Sequence, residues 1–228
     1  MINMSPEELS ILILSLKVGF FSALYSLIPG ILIGYLLARK EFYGKVLIDS
    51  IVYLPLVLPP VTIGYFLIIL FGNQGIIGKF LHEWFGLTLI FNWKGAVLAS
   101  SIMGFPLLVR AVRISIESID LQLEKTAASL GASPLKVFLS ITLPLALPGV
   151  IAGVILSFAR SLGEFGATIT FVSNIPNQTR TLPIAIYTYS QMPGNDLKIS
   201  RLIFISIIIS FTALFFSNLL EKKIKRKS

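Results

Sequence analysis

Charged side chains are almost absent from the apolar stretches of this chain, so the few that sit inside them are the first candidates for chemistry. Arg160 and Glu164 lie one helical turn apart in Phe158-Ala159-Arg160-Ser161-Leu162-Gly163-Glu164-Phe165-Gly166. On a helix that spacing places both groups on one face. Unpaired charge is expensive in an apolar setting, so the first reading is a pair that neutralises itself. A gate whose ion pair changes partners between two conformations is the second. Beyond this pair the chemical inventory is thin. There is no Cys, hence no thiolate nucleophile or disulfide, and the single His82 excludes a multi-histidine metal site. Gly72-Asn73-Gln74-Gly75-Ile76-Ile77-Gly78-Lys79 mimics a phosphate loop, but its glycine spacing is wrong and Phe80 stands where Ser or Thr is needed. No convergent set of His, Asp and Glu is present to support an enzyme. Prolines are the other irregularity: Pro55, Pro59 and Pro60 crowd an uncharged run, where they break or strongly bend a helix.

The elements that must position these residues are apolar. Hydrophobic residues make up 55% of the 228 and charged residues 13%, with a mean hydropathy of +0.86. A soluble domain carries about 25% charged residues, so the composition indicates an all-α, polytopic membrane protein. A first span is expected over 9–38, with Lys17 snorkelling near its outer end, a kink at Pro29-Gly30 and a small-residue face of Gly30, Gly34 and Ala38. The next span, 50–78, holds the three prolines and is either a loop entering the membrane or a discontinuous helix lining a pathway. Residues 72–94, with Trp84 and Trp93, suit an outer-face loop or interfacial helix. Further spans are expected at 95–112, 137–159 and 202–220. Residues 165–179 read as a half-span or re-entrant piece, and 181–198 mainly as an outer loop with some helix. Residues 3–10 are acidic and lack Lys or Arg, and the apolar run that follows is too long for a cleaved signal.

The longest amphipathic pattern lies between the third and fourth spans. Leu123, Ala127 and Leu130 recur at helical spacing, and Gly131 falls where a helix ends in a left-handed residue. Ser133-Pro134 then reads as an N-cap followed by Pro at the first helical position. Leu135, Phe138 and Leu139 form the next apolar face, which Pro144 and Pro148 are expected to interrupt. Two short helices joined by a glycine turn, ahead of a hydrophobic span, form a docking element at a membrane surface.

The net charge of +8 is confined to short segments, which argues for orientation in a bilayer and against nucleic acid as a partner. Arg39, Lys40, Lys45, Arg110, Arg113, Lys125, Lys136, Lys222, Lys223, Lys225, Arg226 and Lys227 fall on one side, twelve basic residues. Lys79, Lys94, Arg180, Lys198 and Arg201 fall on the other. The richer side is expected to be cytoplasmic, giving about five spans with the N-terminus outside and the C-terminus inside.

Ala127, Gly131 and, after nine intervening residues, Ile141-Thr142-Leu143-Pro144 resemble the signature loop of permeases in bacterial binding-protein-dependent ATP-binding-cassette importers. In that family the loop is a Glu-Ala-Ala, a Gly and an Ile-x-Leu-Pro at this spacing. Here Lys125 occupies the motif's Glu position, Glu124 precedes it, and Thr126 replaces the first Ala. The segments Leu54-Pro55-Leu56-Val57-Leu58-Pro59-Pro60-Val61, Phe105-Pro106-Leu107, the run from Phe158 to Pro176, and Thr179-Arg180-Thr181-Leu182-Pro183 extend the likeness to the molybdate and sulfate permease branch.

The resemblance implies a type I importer permease fold: a single transmembrane domain over 1–228 with about five helices and a cytoplasmic coupling loop near 114–140. It implies that Glu124, Lys125, Ala127, Gly131, Ala132, Ile141, Leu143 and Pro144 build the coupling loop. It implies a homodimer, two cytoplasmic ATP-binding subunits that hold the ATP and Mg, and a periplasmic or extracellular molybdate-binding protein. No cofactor and no catalytic residue is expected in this subunit. The implied function is molybdate import, tungstate included, with sulfate or thiosulfate import as the alternative. A tetrahedral dianion bound by a deep charged site would not be released, so hydroxyls, backbone N–H groups and helix ends are expected along its path. Thr168, Thr170, Ser173 and Asn174 are the candidate liners, with Pro59, Pro60, Arg160 and Glu164 at the pathway or its gate; ordinary helix packing remains the alternative for the hydroxyls.

Overall fold

The computed structural model describes residues 4–225. It is all-helical over those residues. Ser5 opens the first helix, α1 (Pro6–Arg39), with a reciprocal cap: its hydroxyl accepts from the Glu8 amide while the Glu8 carboxylate accepts from the Ser5 amide. At roughly 1.5 Å per residue, its 34 residues exceed the thickness of a bilayer core. Pro29 lies inside α1 without ending it. Two helices follow, α2 (Lys45–Val57) and α3 (Pro60–Phe71), which meet at a bend of 115° around Pro59-Pro60. The proline-rich stretch is thus two helices joined by a sharp bend, a form common to a broken span and to a re-entrant loop. After the short α4 (Ile76–Phe85) comes α5 (Trp93–Glu117), whose N-cap Asn92 accepts from the Lys94 amide.

The remaining helices are α6 (Leu121–Ser129), α7 (Pro134–Val137), α8 (Leu143–Leu162), α9 (Gly166–Val172), α10 (Leu182–Ser190) and α11 (Asp196–Lys225), with a π-helical turn over Phe138–Thr142. Four stretches are long and apolar enough to cross a membrane: Pro6–Arg39, Trp93–Glu117, Pro134–Leu162 and Asp196–Phe216. The bent α2–α3 pair, counted as one span, brings the number to five. This agrees with about five spans. Of the basic tail, Arg226 and Lys227 lie outside the described residues.

Helices α1, α5 and α8 form the core because small residues let their backbones approach closely. Gly30 and Gly34 of α1 face Leu108 and Val112 of α5, and Gly104 of α5 faces Ser157 of α8. Ser22 of α1 and Ser161 of α8 share a buried hydrogen bond of 2.8 Å, and Ser161 also donates to the Ser100 carbonyl. Lys17 places its ammonium 3.6 Å from the centre of the Trp93 ring, so an aromatic face receives it.

Two local expectations are corrected. Pro144 and Pro148 do not interrupt the fourth span, which runs unbroken as Pro134–Leu162. The π-helical turn accounts for Pro144: the Leu143 amide bonds to the Phe138 carbonyl five residues back, so the register has shifted where Pro144 removes an N–H, and Pro148 lies inside α8 without ending it. The segment 181–198 is not mainly a loop, because α10 buries Leu182, Ile184, Ala185 and Tyr189 against its neighbours. Pro183 sits in its first turn and does not oppose the helix. Residues 165–179 hold one short helix, α9, only seven residues long.

Candidate functional site

Two regions gather the candidate residues. The first is the segment between α5 and α8. Asp120 caps α6, accepting from the Gln122 amide at 2.9 Å. The helix ends in a Schellman turn: the Ala132 amide bonds to the Ala127 carbonyl and the Gly131 amide to the Ala128 carbonyl. This geometry puts Gly131 at φ +87°, a conformation that disfavours any residue with a Cβ. Ser133 then caps α7, accepting from the Lys136 amide, with Pro134 at the first helical position. The second helix is a single turn that flows through the π-helical turn into α8, so the pair is one free helix plus the first turn of a span.

No residue of α6 is buried. Leu121, Leu123, Leu130, Leu135 and Leu139 are all exposed, Leu130 by 84% and Leu135 by 67%. Lys125 is exposed with them, and Ala127 and Ala132 are half-buried. Glu124 turns the other way. Its carboxylate accepts from the Arg39 guanidinium at 3.0 Å and from the Thr142 hydroxyl at 2.9 Å. Ile141 and Leu143 are half-buried beside Thr142, which is fully buried, and Pro144 is exposed. Arg39 and Thr142 were not singled out from the sequence as site residues. Arg39 lies 85 positions from Glu124, and local pattern carries no signal for such a pairing.

The second region is where two helix breaks meet. Pro60, at the start of α3, packs on Gly166, at the start of α9: a Cβ at 166 would lie 2.7 Å from the Pro60 Cβ. One turn further, Gly64 is so close to α9 that a Cβ there would lie 2.6 Å from the Thr170 Cβ. Between α8 and α9 the Arg160 guanidinium contacts the Glu164 carboxylate at 2.7 Å. The other Glu164 oxygen accepts from the Ala167 amide at 2.8 Å, so the same carboxylate caps one of the first amides of α9. Its side chain is 1% exposed and that of Arg160 is 29% exposed.

The polar candidates fall into two groups. Thr168 and Thr170 lie beside the break, with hydroxyls donated to carbonyls within their own turn: Thr168 to Phe165, Thr170 to Gly166. Ser173 and Asn174 lie at the far end of α9. Ser173 has φ +62° and is exposed. Asn174 donates to the Thr188 hydroxyl and accepts from Arg180, which also pairs with Glu7 of α1 at 3.0 Å. None of these residues lines the cavity of about 740 Å³ enclosed by α1, α2, α5 and the Leu87–Leu89 loop, whose walls are almost wholly apolar. Among the described residues, no group of three or more His, Asp or Glu could hold a metal ion.

Comparison with known proteins supplies the family context. Residues 30–226 match the family described as "Binding-protein-dependent transport system inner membrane component". The chain is 54% identical over 220 residues to the molybdenum transport system permease protein ModB of Haemophilus influenzae, covering 96% of each chain. It is 53% identical over 222 residues to the protein of the same name from Escherichia coli K12, covering 97% of this chain and 96% of that one. A probable sulfate transport system permease protein of Prototheca wickerhamii is 36% identical over 173 residues, 76% of this chain and 68% of that one. Among solved structures, the bacterial alginate ABC transporter in complex with an alginate-bound periplasmic protein matches with a TM-score of 0.75 at 18% identity, covering 97% of this chain and 80% of that one. The inward-facing MetNI methionine ABC transporter matches with a TM-score of 0.72 at 18% identity, covering 97% and 99%. These two likenesses establish the fold.

Proposed function

Since the chain belongs to the family of binding-protein-dependent transport system inner-membrane components, we propose that it is the permease through which an ATP-driven importer moves molybdate into the cell. The observation that carries the importer architecture is the uncovered apolar face of α6 and α7, held by the Gly131 turn. An exposed leucine cluster on a helix and the turn beside it needs a partner, and the ATP-binding subunits of the complex are that partner. Two of them dock here, one on each copy of a homodimer, and hold the ATP and Mg themselves. The positive-inside bias sets this face and the C-terminus in the cytoplasm and the N-terminus outside. A periplasmic or extracellular binding protein delivers the anion to the opposite face.

The choice of molybdate over sulfate rests on the relatives: identity above 50% across nearly the whole chain with the molybdenum permeases, against 36% over a shorter stretch with a sulfate permease. The path runs past the meeting of the two helix breaks. There Glu164 caps the Ala167 amide of α9, so Arg160 and Glu164 hold the break together, while Pro59 and Pro60 stand at the start of α3. The Ser173 hydroxyl and the second amide hydrogen of Asn174 offer donors to the passing dianion, while Thr168 and Thr170 give their hydroxyl hydrogens to carbonyls of their own turn and fix α9.

The test is uptake. A strain whose high-affinity molybdate uptake has been deleted, supplied with this permease together with its ATPase and binding protein, regains uptake of labelled molybdate at nanomolar concentration. Restoration of sulfate uptake alone would move the chain to the sulfate branch, and restoration of neither would reject the reading.

A further inference from the structure

The leucines of the docking segment face outward, so the force delivered to them must reach the membrane helices by another route. The packing of α6 does not supply it, since no residue of that helix is buried. The polar contacts on its inward side do. Arg39 is the last residue of α1, and its guanidinium reaches both the Glu124 carboxylate and the Ile119 carbonyl, each at 3.0 Å. Thr142 is the last residue of the π-helical turn that feeds α8, and it is fully buried. Its hydroxyl donates to the same Glu124 oxygen that Arg39 holds. The side chains of Arg39 and Glu124 are 7% and 14% exposed, more enclosed than the neighbouring Arg113–Asp49 and Lys45–Glu41 pairs.

We propose that Glu124 is a positioning residue: with Arg39 and Thr142 it forms a clamp that ties the ATPase-docking helix α6 to the inner end of α1 and to the root of α8. Glu124 then makes no contact with the ATPase groove, although it stands beside the docking leucines in sequence. Movement of α6 pulls on α1 through a two-contact ion pair and on α8 through the π-helical turn. That turn is where the backbone hydrogen-bond register already shifts, and a helix yields most readily at such a point. The proposal rests on the importer reading for what moves α6, but the clamp itself is a property of this chain.

Two measurements test it. In proteoliposomes holding the complete complex, the Glu124→Gln variant keeps its ATPase subunits bound and keeps hydrolysing ATP. Its ratio of molybdate transported to ATP hydrolysed falls at least about five-fold, the lower end of measured coupling between sites. The charge-exchanged variant Arg39→Glu with Glu124→Arg recovers part of that ratio over either single change. In the purified full-length permease alone, Glu124→Gln raises amide hydrogen exchange in α6 while exchange in α5 stays as in the wild type. A wild-type transport ratio in Glu124→Gln overturns the transmission role whatever the exchange shows. Loss of the ATPase subunits overturns it too, by making Glu124 a docking contact. If the wild-type complex itself shows no molybdate-driven hydrolysis, the importer reading fails, and unchanged α6 exchange in the variant then rejects the clamp independently.

Discussion

Glu164 shows how one side chain settles two needs at once. Its carboxylate meets the guanidinium of Arg160 and the amide of Ala167, so at the break between α8 and α9 the buried charge is paired and one amide of the α9 start is capped. Spacing alone made the Arg160 pairing visible, because an i,i+4 pair is a local property. The cap on α9 was not visible, since it depends on the chain breaking at Gly163. Neutralising Glu164 leaves Arg160 without its partner in a mostly enclosed site. Removing one member of such a pair costs about 1–3 kcal/mol when the other stays partly exposed. Glu164→Gln is therefore expected to unfold in detergent at a lower temperature than the wild type. The double variant Arg160→Met with Glu164→Gln should be less damaging than the sum of the two single changes, since the pair is lost as a unit. Additive effects in thermal unfolding would show that the two residues act separately.

At the scale of elements, the docking segment rests on Gly131. A Cβ there meets no atom within 4 Å, so the cost of substitution is conformational and not steric. Forcing a β-branched residue into the left-handed region costs roughly 1–2 kcal/mol, enough to unwind the end of α6 and tilt its leucine face. Gly131→Val is expected to leave the membrane helices folded while abolishing the dependence of ATP hydrolysis on the loaded binding protein. Normal transport by that variant would contradict the helix–turn–helix account. This element was legible in the sequence because its signals are short-range: a glycine after a helical repeat, then Ser-Pro. The bend at Pro59-Pro60 was legible for the same reason. Proline misled elsewhere. Pro144 and Pro148 looked like interruptions because an ordinary α-helix cannot spare the hydrogen bond, whereas the π-helical turn changes the register before Pro144 arrives. Pro183 and the Pro193-Gly194 turn made 181–198 look like loop, yet Pro183 falls in the tolerant first turn of α10. The clamp of Arg39, Glu124 and Thr142 joins residues up to 103 positions apart by numbering, and only the packing of α1, α5 and α8 brings them together.

The whole molecule is lopsided in what it covers. The core of α1, α5 and α8 is tightly packed, whereas α2 and the outer face of α11 present Val46, Ile51, Val57, Phe204, Ile207 and Phe211 outward. Lipid covers such faces in a membrane protein, and in the homodimer proposed above a second copy would cover part of them. The belt of ion pairs at the α1 start, Glu7 with Arg180 and Glu8 with Arg201, fixes α1, α11 and the segment after α9 to one another at the opposite end from the docking helices. In the importer proposed above, substrate delivery and ATP-driven force would act on opposite ends of one helical core. The most direct test of this account is ATP hydrolysis by the reconstituted complex, with the binding protein presented empty, loaded with molybdate or loaded with sulfate. The account predicts stimulation by the molybdate-loaded form and little by the other two. Stimulation by sulfate but not by molybdate would contradict the assigned substrate, and hydrolysis indifferent to all three would contradict the importer itself.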